Sequence, residues 1–78
     1  MEPIKVSVRG HVIKYFPGEQ ERFEFVSEGP ISILDMLKAL SVDPLLIMMV
    51  NVNGVKQPKT AMLQPGDDVL LFSPPAGG

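Results

Sequence analysis

Ile4, Val6 and Val8 alternate with Lys5, Ser7 and Arg9, the two-residue period of a strand with one buried face. Gly10-His11 offers a place to turn. The strand-like stretch Val12 to Phe16 is shorter and less regular, and Pro17-Gly18 ends it with a firm turn signal. Phe23 and Phe25, reaching back to Glu21, alternate with Arg22, Glu24 and Val26, which predicts a second strand antiparallel to the first. Gly29-Pro30 stops it. Ser32 then stands three residues before Asp35, a capping-box-like helix start. Ile33, Leu34, Met36, Leu37 and Leu40 form one broad apolar face, with Asp35 and Lys38 pointing elsewhere. A helix of about ten residues is expected, too short to stand without a sheet beneath it. Asp43-Pro44 ends it or begins a further turn.

Beyond the helix, Met48, Val50 and Val52 alternate with Met49, Asn51 and Asn53, a strand with Met49 on its polar side. Asn53-Gly54 is a tight-turn signal because both residues tolerate positive φ. Pro58 bars the next stretch from the centre of a sheet. Gln64-Pro65-Gly66-Asp67 is another turn, and Val69 to Phe72 a final β-branched and aromatic strand. The order strand, strand, helix, strand, turn, strand predicts an α+β fold, a mixed sheet with one helix packed across it.

Composition narrows what such a fold can do. The 78 residues make one small domain, 45% hydrophobic and 21% charged, with no cysteine and a single histidine. Neither a disulfide staple nor a zinc or iron–sulfur site can be assembled from the usual ligands. Nine acidic and seven basic residues leave a net charge of −2 with no basic block, which argues against nucleic acid as a partner. Met1-Glu2-Pro3 has neither the cationic start nor the apolar stretch of a signal peptide. The longest apolar run, Pro44 to Val50, falls far short of the roughly 20 residues that span a bilayer. A cytoplasmic protein without a membrane partner is the expectation.

Side chains suited to catalysis are scarce. His11 lies beside a glycine with no paired carboxylate or cysteine close by, and reads as a solvated turn residue. Asp67 reads as turn chemistry after Pro65-Gly66, and Asp68 as a solvated strand start, in preference to a cation site. Ser7, Ser27, Ser32, Ser41 and Ser73 lie in no recognisable nucleophile motif. Gly10, Gly18, Gly29, Gly54 and Gly66 are scattered one to a turn, so no phosphate-binding loop is present. Of the five methionines, core filler for the most part, Met49 is the one expected at the surface. The chain is not expected to be an enzyme.

There remains the stretch Ser73-Pro74-Pro75-Ala76-Gly77-Gly78. Pro75 restricts Pro74, and Pro74 restricts Ser73, to extended or polyproline II geometry, so the chain should leave the last strand pointing outwards. Six residues span at most roughly 20 Å. A glycine pair lacks Cβ atoms and can enter a narrow channel in another protein. The reactive group placed there is the α-carboxylate of Gly78, inert until a second enzyme activates it. The domain division expected is 1–72 for the folded body and 73–78 for an extended tail.

"VNG" at Val52–Gly54, "PGDDVLLF" at Pro65–Phe72 and "PPAGG" at Pro74–Gly78 together resemble the MoaD/ThiS family of ubiquitin-like β-grasp sulfur carriers. The likeness runs from about Met48 to the end and, less closely, through the helix; "PP-x-GG" is nearer to the small subunit of molybdopterin synthase. The resemblance implies a β-grasp with four to five strands, one main helix and an extended C-terminal tail. It implies that a ubiquitin-activating-like adenylating enzyme uses ATP on the carboxylate of Gly78, after which sulfur replaces the adenylate to leave a thiocarboxylate. The tail would then enter the large subunit of molybdopterin synthase and give sulfur to a pterin precursor. No cofactor would be bound by the carrier itself. Gly78 would carry the sulfur, Gly77 with Ala76 would give access, and Phe72, Pro74 and Pro75 would position the tail. An exposed apolar patch including Leu70 or Phe72 would dock the partner, core packing being the alternative for either side chain.

Two other functions fit the same tail. One is a ThiS-like carrier serving thiazole synthase in thiamine synthesis. The other is a ubiquitin-like modifier joined to lysines through Gly78. A plain interaction module with a frayed end is the blandest alternative, and it predicts that loss of Gly77 and Gly78 leaves function intact.

Overall fold

The computed structural model describes residues 2–73. Seven strands and one α-helix occur in the order β1 (Ile4–Gly10), β2 (Arg22–Phe25), β3 (Ile31–Ser32), α1 (Ile33–Ala39), β4 (Met49–Val52), β5 (Val55–Lys56), β6 (Met62–Leu63) and β7 (Asp68–Ser73). The main sheet has five strands in the order β2-β1-β7-β4-β5, and β3 pairs with β6 in a separate two-stranded ribbon. β1 and β7 run parallel at its centre; every other pairing in it is antiparallel. A mixed sheet with one helix is the α+β arrangement that the residue pattern predicts.

The alternation in β1 does what its period demands. Ile4, Val6 and Val8 are buried, and so are Val69 and Leu71 of β7 and Val50 of β4. Ile33, Met36 and Leu37 of α1 close the core from above with Val12, Phe16, Val42, Ile47 and Leu63. Short as it is, α1 is tied down at both ends. The Ser32 hydroxyl accepts the Asp35 N–H at 3.0 Å, as the capping pattern predicts. The next two free amides, of Ile33 and Leu34, donate to the carbonyls of Ala61 and Lys59.

The helix is shorter than its apolar spacing suggests. Ser41 turns into the left-handed region at φ 61°. Its N–H bonds to the Lys38 carbonyl, and that of Val42 to the Leu37 carbonyl. These two bonds make a Schellman stop, sealed by burial of both Leu37 and Val42. Asp43-Pro44 therefore begins a separate 3₁₀ turn over Pro44–Leu46, capped by the Asp43 carboxylate on the Leu45 N–H at 2.9 Å.

Three other expectations change. Val12 to Phe16 is not strand-like: His11–Tyr15 forms a 3₁₀ turn whose spacing sends Val12 and Phe16 into the core together. Met48 lies outside β4, which starts at Met49, and is 66% exposed, because Ile47 fills the core position before the turn into the strand. The β3–β6 ribbon and β5 carry too few residues to show a period and were not anticipated.

Candidate functional site: the open sheet face and the end of β7

Pairing registers assign every side chain of the main sheet to the helix-covered face or the open one. In β7, Val69, Leu71 and Ser73 point to the covered face and are buried. Asp68, Leu70 and Phe72 point the other way. Across β4 the open face continues with Met49 opposite Phe72 and Asn51 opposite Leu70; across β1 it continues with Arg9, Ser7 and Lys5 opposite Phe72, Leu70 and Asp68. Neither Leu70 nor Phe72 belongs to the core, so core packing does not account for them. They line a shallow depression with Met49 and Asn51, and Met49 is 39% exposed. Met48, whose N–H donates to the Phe72 carbonyl at 3.1 Å, is exposed next to Met49. Its exposure was missed because parity breaks at Met48–Met49, two neighbours that are both exposed. Arg9 flanks the apolar stripe of Leu70, Phe72 and Met49, with Lys5 and Arg22 further along the same face.

The end of β7 is fixed by backbone. Gly10 pairs with Ser73 at the last rung of the parallel β1–β7 ladder. Gly10 adopts φ 92°, and a Cβ on it would lie 2.0 Å from the Ser73 carbonyl oxygen. Only glycine allows so close an approach, and Ser73 is buried there. At the other end of β7 two turns hold each other. The Asp67 carboxylate accepts from the Gln64 N–H at 2.8 Å and from the Asn53 side-chain amide at 3.1 Å. Asn53 Oδ1 in turn accepts the Asp68 N–H at 2.9 Å. Asp67 thus has the turn role expected of it, and Asp68 is the exposed first residue of its strand. His11 is exposed at the start of its 3₁₀ turn.

Of the residues expected to work in the tail, the structure brings Phe72 onto the open face beside Leu70 and Met49. Pro74, Pro75, Ala76, Gly77 and Gly78 lie outside the described residues. Among the described residues no group of three or more His, Cys, Asp and Glu side chains is arranged to hold a metal ion, and no helix is long and apolar enough to cross a membrane.

No curated protein matches the chain closely enough to count as a relative. The model of the ThiS family matches residues 13–78, from the 3₁₀ turn after β1 through the diglycine. That span covers α1, both turns that brace β7 and the open-face residues of β4 and β7. The chain belongs to the ThiS family, the ubiquitin-like sulfur carriers of β-grasp fold.

Proposed function

We propose that Gly78 is the sulfur-carrying residue at the end of a tail that leaves the β-grasp body after Ser73, the last residue of β7. The observation that carries this reading is the family match, which runs through Pro74-Pro75-Ala76-Gly77-Gly78 to the last residue. The carboxylate of Gly78 attacks the α-phosphate of ATP on an adenylating enzyme, and pyrophosphate leaves. Hydrosulfide then attacks the acyl carbon, AMP leaves, and Gly78 ends as a thiocarboxylate. Gly77 and Ala76 keep the tip narrow enough for an enclosed active site, and Pro74 and Pro75 keep it extended. Phe72, with Leu70, Met49 and Met48, docks the partner. The carrier supplies the acyl group and the docking face; the partners supply the catalysis.

The partner we propose is the large subunit of molybdopterin synthase, where a pterin precursor accepts the sulfur, in molybdenum-cofactor synthesis in the cytoplasm. Its support is the proline pair in "PPAGG". Thiazole synthase is the second candidate, supported by the ThiS family match itself. Incubation with an adenylating enzyme of the ubiquitin-activating type, ATP and a sulfur source should exchange one oxygen of the protein for sulfur, read by intact mass. Removal of Gly77 and Gly78 should abolish the exchange. Transfer from the thiocarboxylate to a pterin precursor, and not to a thiazole precursor, selects the acceptor. Failure to form the thiocarboxylate with any such enzyme, alongside isopeptide-linked species that depend on Gly78, would replace this reading with that of a protein modifier.

A further inference from the structure

The main sheet has two edges of different quality. β5 is a two-residue strand that runs into Gln57-Pro58, too short to template another chain. β2 at the other edge has four residues, Arg22-Phe23-Glu24-Phe25, and pairs with β1 alone. Its ladder registers Ile4 with Phe25 and Val6 with Phe23, and the Val8 N–H donates to the Glu21 carbonyl at 2.8 Å. In an antiparallel pair, alternate residues direct both N–H and C=O to the same neighbour. Glu21, Phe23 and Phe25 therefore bond towards β1. The N–H and C=O groups of Arg22 and Glu24 point away from the sheet, and both side chains are exposed on the open face.

We propose that this edge takes a second copy of the same chain, β2 against β2, in a two-fold antiparallel pair centred on Phe23. The register follows from charge and backbone direction. Outward-facing residues must oppose outward-facing residues, so Arg22 and Glu24 can meet Arg22, Glu24 or an even-numbered neighbour of the other copy. Placing Arg22 opposite Arg22, or Glu24 opposite Glu24, sets like charges directly across the pair, which is destabilising. The register between these two sets Arg22 opposite Glu24 twice. Each of those two pairs exchanges two backbone hydrogen bonds and places opposite charges side by side on the open face. The axis then brings Phe23 against its own copy on the core side, where it already packs against Phe16 with ring centroids 5.9 Å apart. Charges on an edge strand ordinarily guard it; here they forbid two registers and favour the third. β2 lies two strands from β7, so the sheet would continue across the dimer while both β7 ends and both apolar stripes stay open.

The contact involves one short strand of each copy, at the small end of interface sizes, so association should be weak and visible only at high concentration. Sedimentation and amide hydrogen exchange on the full chain, from micromolar to millimolar concentration, test it. Self-association should grow with concentration and weaken with salt, and exchange at the Arg22 and Glu24 amides should slow with it. R22E and E24R should each remain folded, because both side chains are exposed, and each should weaken self-association about tenfold or more, since both charge pairs become repulsive. Mixing the two variants in equal amounts should restore association, because every cross-strand pair is then Arg against Glu. A monomeric wild type at millimolar concentration overturns the proposal. So do single variants that associate like wild type, a mixture that stays monomeric, or association lost on Phe72→Ala instead.

Discussion

Gly10→Ala should be the most damaging small substitution in the sheet, and the structure separates its cost into parts. Gly10 has φ 92° and ψ −172°, a region essentially restricted to glycine, in which a side chain costs about 1–3 kcal/mol. The added Cβ would sit 2.0 Å from the Ser73 carbonyl oxygen. That oxygen is backbone in a strand held on both sides, so the last rung of the β1–β7 ladder has to open, at about 1 kcal/mol for the hydrogen bond lost. The sum, about 2–4 kcal/mol, is a large share of the roughly 5–15 kcal/mol that holds a domain together. It should lower Tm by about 10 °C or more. Gly54→Ala isolates the conformational part. Gly54 has φ 84° in the Asn53-Gly54 turn, but a Cβ there meets nothing within 4 Å. It should cost only about 1–2 kcal/mol. Urea unfolding of both variants against wild type measures the difference. Equal losses at the two positions, or a Gly10→Ala protein within 1 kcal/mol of wild type, would refute the close approach of β1 to Ser73.

The two faces of β7 should respond in opposite ways. Leu71→Ala, fully buried, should lose about 2–5 kcal/mol by urea denaturation, whereas Phe72→Ala should lose far less stability and slow thiocarboxylate formation at limiting enzyme. Ser41→Gly should leave stability unchanged or raise it by up to about 1 kcal/mol, because it removes a side chain from φ 61° in the helix stop; thermal unfolding checks the sign. Asp67→Ala should lower the urea midpoint by the equivalent of about 1–2 kcal/mol, since the bond within its own turn and the bond to Asn53 are lost at once, and Asn53→Ala in the same background should cost about a further 1 kcal/mol, because Asn53 still accepts the Asp68 N–H.

What was legible in the chain follows the length of each periodic segment. β1, β2, the centre of β4 and β7 show a two-residue period over enough positions to reveal both strand and face. Asn53-Gly54 and Pro65-Gly66 announce turns by backbone chemistry, and both turns form. Failures occur where a short element depends on distant partners. β3 and β6 have two residues each and exist because Ile31 and Leu63 find one another across the helix entry. Val12 to Phe16 has apolar residues at a spacing that suits a 3₁₀ turn as well as a poor strand, and only the covering of the core edge decides. The helix stop was unreadable because a serine takes a conformation usually announced by glycine. At the site, Phe72 and Leu70 were pointed to by the family resemblance, with core packing left open for either, Met48 was lost by a parity break, and Gly10 looked like any turn glycine until its pairing with Ser73 was known.

The architecture also constrains how a partner meets this carrier. β7 supplies core residues on one face and the proposed docking residues Leu70 and Phe72 on the other, and its register cannot slip by one without exposing Val69 and Leu71 and burying Phe72 and Asp68. Both ends are pinned independently, by Gly10 against Ser73 and by the Asn53–Asp67–Asp68 bonds. A partner seated on Phe72 and Met49, as proposed, therefore meets Ser73 at a set point. On the proposed reading five residues separate Ser73 from the reacting carboxylate, a reach of at most roughly 18 Å. An adenylating enzyme and a sulfur acceptor that both use this tail must then each bury their reacting centre within that distance of the same docked stripe. On that reading the shared stripe and the shared distance together let one small domain serve two partners in turn.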